Sequence, residues 1–110
     1  MGVAASQTAS AGLAACSSNS GKALYDCVAN VLDRLSNEVK SPEARRSLST
    51  AASQLRAATT KVQALSAISQ CRSVIAGALK QLTASGGDGS GLSAMAGVLA
   101  QAAKLIQSKG

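Results

Sequence analysis

The sequence predicts an all-α fold: a small up-down bundle of four antiparallel helices preceded by a flexible leader. Three observations carry the prediction. Between Pro42 and Gly77 there is neither glycine nor proline, and the apolar residues of that stretch recur at helical spacing. Ser41-Pro42-Glu43 has the chemistry of a helix start, with a capping hydroxyl, a proline at the first helical position and a carboxylate near the positive end of the dipole. Residues 85–91, Ser-Gly-Gly-Asp-Gly-Ser-Gly, read as a connection between helices.

Length and composition bound the fold further. A chain of 110 residues is one domain's worth. Its apolar fraction is 46%, but alanine dominates it and there is one Tyr, no Phe and no Trp. At about 25 cal/mol per Å² of buried apolar surface an alanine contributes far less than a leucine, so the core is expected to be thin and a covalent staple to be useful. No run approaches the roughly 18 to 20 apolar residues that a membrane span requires.

The division expected is a leader over residues 1–20 and a bundle over residues 21–110. The leader is rich in Ala, Ser and Gly and carries no charged side chain, which makes a flexible segment, disordered or loosely helical, the default. Three address readings compete with that default. Gly2 with Ser6 fits the N-myristoylation pattern Met-Gly-x-x-x-Ser. Leu13-Ala14-Ala15-Cys16 looks like a bacterial lipoprotein box with Cys16 as the lipidated residue, although a basic start and a strongly apolar middle are missing. The leader also reads as the mature end of an exported protein. In the plainest reading Cys16 is a free thiol.

The first bundle helix is expected over residues 21–40, with Leu24, Val28, Val31, Leu32, Leu35 and Val39 on one face and Ser20 as N-cap. Cys27 lies at the edge of that face. The second begins at Pro42, after a connection short enough to make the two antiparallel. Whether residues 42–84 form one helix or two turns on a phase slip. The seam runs through Leu48, Ala51, Leu55, Ala58 and Val62, then steps by threes through Leu65, Ile68 and Cys71. Thr60 and Gln63 offer a capping box at the slip. A single helix would be about 60 Å long and would leave its apolar face uncovered, which favours two, over residues 42–58 and 61–84. The last helix is expected over residues 91–108, with Leu92, Met95, Leu99, Ala102 and Ile106 as its seam and Met95 as core filler.

The helices resemble, in their near absence of aromatics and their wealth of Ala, Ser, Thr and Gln, those of talin-type rod bundles. Ala94, Val98, Ala102, Leu105 and Ile106 are similar to the face of a vinculin-binding helix, with departures at Met95 and Leu99. The likeness implies a structural or interaction role.

The chemistry of catalysis is thin. There is no histidine, the commonest general base. The carboxylates Asp26, Asp33, Glu38, Glu43 and Asp88 form no pair with acid/base or metal spacing, and the three cysteines lack a Cys-x-x-Cys. The glycine-rich connection lacks the Lys-Ser/Thr of a phosphate loop. No catalytic, cofactor-binding or metal site is expected, and the protein is read as a non-enzyme.

Cys27 and Cys71 are the candidate disulfide. In an up-down bundle their helices run parallel, with Cys27 about seven residues into the first and Cys71 about ten into the third, so their heights agree. The bridge would be worth about 3 to 4 kcal/mol on chain-entropy grounds, and two buried free thiols are the competing reading. A disulfide implies a periplasmic or extracellular setting, while a cytoplasmic one stays open.

The formal charge of +6 permits attraction to acidic surfaces. The basic residues are scattered and no aromatic set interleaves them, so nucleic acid is disfavoured as a partner. The expected role is a structural or protein-interaction bundle, exported, with a protein partner or self-association. The alternatives are a lipid-anchored peripheral membrane protein and a weak electrostatic nucleic-acid binder.

Overall fold

The computed structural model describes residues 11–39, 41–87 and 89–110. Within them lie a helical segment over residues 11–16, α1, and four longer helices: α2 (Gly21–Glu38), α3 (Pro42–Ala57), α4 (Lys61–Ala84) and α5 (Ser90–Lys109). No strand occurs among the described residues. The molecule measures 41 × 22 × 21 Å, and its long axis is set by the 24 residues of α4, about 36 Å at 1.5 Å per residue.

The all-α up-down bundle is the architecture observed. Sequential helices pack as neighbours, and α2 meets α5 over a much shorter seam, closing the ring. The ends agree with this alternation. Lys22 near the start of α2 donates to the Arg56 carbonyl near the end of α3, and Lys61 at the start of α4 donates to the Gln107 carbonyl near the end of α5 (2.8 Å).

Local chemistry sets the helix ends. At α3 the Ala44 N–H donates to Ser41 Oγ (3.4 Å), and Pro42 occupies the first turn. The central stretch is two helices. The Gln63 N–H donates to Thr60 Oγ1 (3.2 Å), while Gln63 Oε1 reaches back one residue further than in the usual capping box to accept from the Thr59 N–H (2.8 Å). The end of α4 is a Schellman turn, in which Gly87 N–H donates to Leu82 O (2.8 Å) and Gly86 N–H to Thr83 O (3.1 Å). Gly86 takes φ +83° there, a conformation that costs a side-chain-bearing residue energy.

The core combines large residues from α2 and α5 with a sparser stripe from the middle pair. Leu24, Val28, Leu32 and Leu35 are buried from α2, and Met95, Leu99 and Ile106 from α5. From α3 and α4 only Leu48, Leu55, Ile68 and Ile75 are large, among Ala44, Ala51, Ala52, Ala64, Ala67 and Ala78. The thin core expected from composition is concentrated at α3–α4.

Two expectations need correction. The leader is not loose throughout: residues 11–16 form a helical turn, which the sequence allowed, but Leu13 and Cys16 on it are fully buried against the bundle. Residues 1–10 lie outside the described residues. Val62 does not continue the seam of α3 and is 76% exposed. The turn at residues 58–60 restarts the helical phase, so the second residue of α4 lands on the outer face.

Candidate functional site

Cys16 and Cys27 are joined as a disulfide, with Cα atoms 5.8 Å apart and a separation of 11 positions in sequence. The Cys27–Cys71 bridge expected from matched heights is therefore incorrect. Height is only one coordinate. In a ring of four helices α2 and α4 stand on a diagonal, and neither cysteine points along it. Cys71 faces α3, where its thiol lies 3.6 Å from Ser47 Oγ. Cys27 lies on the flank of α2 that it shares with Val31, one turn on, and this flank carries α1.

α1 runs antiparallel to α2: Cys16 meets Cys27 while Gly12 lies against Val31, with an added Cβ at residue 12 coming within 3.0 Å of Val31 Cγ2. Ser17 Oγ donates back to the Ala14 carbonyl (2.6 Å), and the Ser17 carbonyl accepts from Lys109 at the end of α5. The segment thus touches both α2 and α5, the neighbours in the ring with the shortest direct seam. On chain-entropy grounds so short a loop is worth about 2.7 kcal/mol. Burial of Leu13 adds about 2 kcal/mol, while ordering the backbone costs about 1 kcal/mol or more for each helical residue.

The lipidation candidates fall differently. Cys16 Sγ is bonded to Cys27 and buried, so a thioether-linked lipid and this disulfide exclude one another. Gly2 lies outside the described residues.

Cys71 is the one free cysteine, and it is buried. Burial pushes its thiol above the ordinary value, and the Ser47 contact works the other way. It stands at the edge of a cavity of about 270 Å³ between α3 and α4, floored by Ala51, Ala67, Cys71 and Val74 and rimmed by Glu43, Arg46 and Gln70. The cavity runs on, through Gln54, Ala67 and Gln70, into a more open groove of about 420 Å³ that ends at Ala58 and Val62. Small side chains on both helices explain the groove: backbones held at helix-packing distance leave space where alanines face each other. Val62 and Val74 are the two most exposed large apolar residues among the described ones, Val62 lining the groove and Val74 the cavity. Reading one helix at a time misses this groove, although the alanines at Ala51, Ala57, Ala58 and Ala67 are its signal.

Among the described residues no group of three or more His, Cys, Asp or Glu could hold a metal ion, and no helix is long and apolar enough to cross a membrane. The polar cluster between α2 and α3 is structural in its contacts. Arg56 Nη2 pairs with Asp33 Oδ2 (2.6 Å) and donates to Asn30 Oδ1 (2.9 Å), beside the Lys22–Asp26 pair (3.5 Å).

Fold and site together define a small all-α bundle with a disulfide-stapled N-terminal segment and an apolar groove between its two middle helices. No known protein family, curated protein or solved structure matches the chain.

Proposed function

We propose that the protein is a non-catalytic interaction module, which engages a protein partner through the α3–α4 groove and works in an oxidising compartment outside the cytoplasm. The observation that carries the interaction reading is the placement of Val62 and Val74. Both are exposed, at 76% and 42%, along an alanine-floored groove, while the other large apolar side chains of the described bundle are buried or partly buried. An apolar strip with a rim of Gln, Thr and Arg suits an amphipathic protein segment. The Cys16–Cys27 disulfide supports the compartment, because such bridges persist in oxidising surroundings.

The test is site-specific photocrosslinking in the native cell, with the photoreactive residue at Gln70 and, as a control, at Lys104 on α5. A discrete adduct formed from position 70, absent from position 104 and abolished by Val74→Asp, supports the reading. Equal labelling from the two positions sinks it. Thiol trapping of protein drawn directly from the cell tests the compartment, and a fully reduced Cys16 and Cys27 would contradict it.

A further inference from the structure

We infer that the Cys16–Cys27 disulfide is a redox latch, which holds α1 over the flank of α2 beside α5 and releases it on reduction. The inference does not depend on the α3–α4 groove and involves a different face of the molecule.

Three observations converge on it. First, α1 has little hold of its own. Leu13 is its only large apolar side chain among residues 11–16, and a helix this short is not stable in water without tertiary support. Its other attachments are the approach of Gly12 to Val31 and an exposed lysine contact from Lys109 to the Ser17 carbonyl. Second, most of the core lies outside α1, which contributes Leu13 and Cys16 to it. The four longer helices pack in sequence, and their core residues come from all four. Third, α1 covers apolar surface: Val31 is 6% exposed, on the flank of α2 that faces the segment. The covalent tether is what makes the docked state the stable one.

The two sulfurs are not equivalent. Cys16 is fully buried, whereas Cys27 is only partly so. A dithiol reductant therefore attacks at Cys27. Its thiolate bonds to Cys27 Sγ, the Sγ–Sγ bond breaks and Cys16 leaves as a thiolate that takes up a proton. The second thiol of the reductant then displaces Cys27, also released as a thiol, and the reductant departs as its own disulfide. Two electrons pass to the protein and two thiols result. Leu13 and the flank around Val31 are then exposed.

Hydrogen exchange followed by mass spectrometry, on the full chain before and after dithiothreitol, tests the latch. In reduced protein residues 11–19 should exchange about tenfold faster or more, while α3 and α4 keep their protection. Fluorescence of an apolar dye should rise, and reoxidation should reverse both changes. The double variant Cys16→Ser, Cys27→Ser should reproduce the reduced behaviour without reductant. Retained protection of residues 11–19 in the reduced protein or in the variant overturns the inference. So does loss of protection across α3 and α4, which would make the bridge a support of the whole fold.

Discussion

Ser47 and Cys71 meet across the α3–α4 interface, the thiol donating to the hydroxyl oxygen at 3.6 Å. The contact places a titratable group in an alanine-lined wall, where burial raises its pKa above the ordinary value of 9.0. The neutral thiol is thus the form that the fold favours. Below the unfolded pKa both states hold the proton and the contribution to stability is full. As pH rises past that value the unfolded chain loses the proton first, and the contribution falls until the folded pKa is passed. The difference in denaturant stability between wild type and Cys71→Ser should be flat up to about pH 8 and should move against the wild type above it. A difference that stays constant to pH 10 would contradict the assignment.

Gly86 and Gly77 should respond to alanine in opposite directions. Gly86 closes α4 at φ +83°, so Gly86→Ala should lower stability by about 1 kcal/mol. Gly77 sits within α4, and a Cβ there would meet nothing within 4 Å. Gly77→Ala should therefore stabilise by about 0.5 to 1 kcal/mol. Urea midpoints at constant slope measure both.

Leu99 and Val62 separate core from surface. Leu99 is fully buried at the centre of α5, and Leu99→Ala should cost about 2 to 5 kcal/mol. Val62→Asp changes an exposed residue in the first turn of α4, where a carboxylate complements the dipole, so stability should stay within about 0.5 kcal/mol of wild type. Thermal unfolding followed by circular dichroism distinguishes the two outcomes.

Arg56 joins α2 to α3 through Asp33 and Asn30, but the paired side chains are about 40% exposed. Solvent screens such a pair, and Arg56→Ala should cost only about 0.2 to 1 kcal/mol, with much of that gone in 1 M salt. A double-mutant cycle with Asp33→Asn, run at low and high salt, reads the coupling.

How much of this was legible in the chain varies from feature to feature. The start of α3 at Pro42, the break at Thr60 and the end of α4 before Gly86 all rest on residues within a few positions of one another, and all three occur where the chain's chemistry puts them. Val62 was not legible: its spacing fits the seam of α3, but the turn between residues 57 and 61 changes the phase. The α3–α4 groove needs two helices to exist at all. Leu13 is an isolated leucine in an uncharged segment, and nothing nearby in sequence marks the flank of α2 that buries it.

The amino-acid sequence by itself determined the four longer helices, their order and most of their ends, because capping hydroxyls, proline and the apolar period act over distances of a turn or two. The tertiary structure alone decided the cysteines. Counting residues from each helix start suggests a Cys27–Cys71 bridge, yet Cys27 pairs with Cys16 and Cys71 turns to Ser47. Pairing depends on the angle at which each side chain leaves its helix and on which neighbour lies there. That neighbour is set by the packing of the whole ring and by the segment folded back along α2.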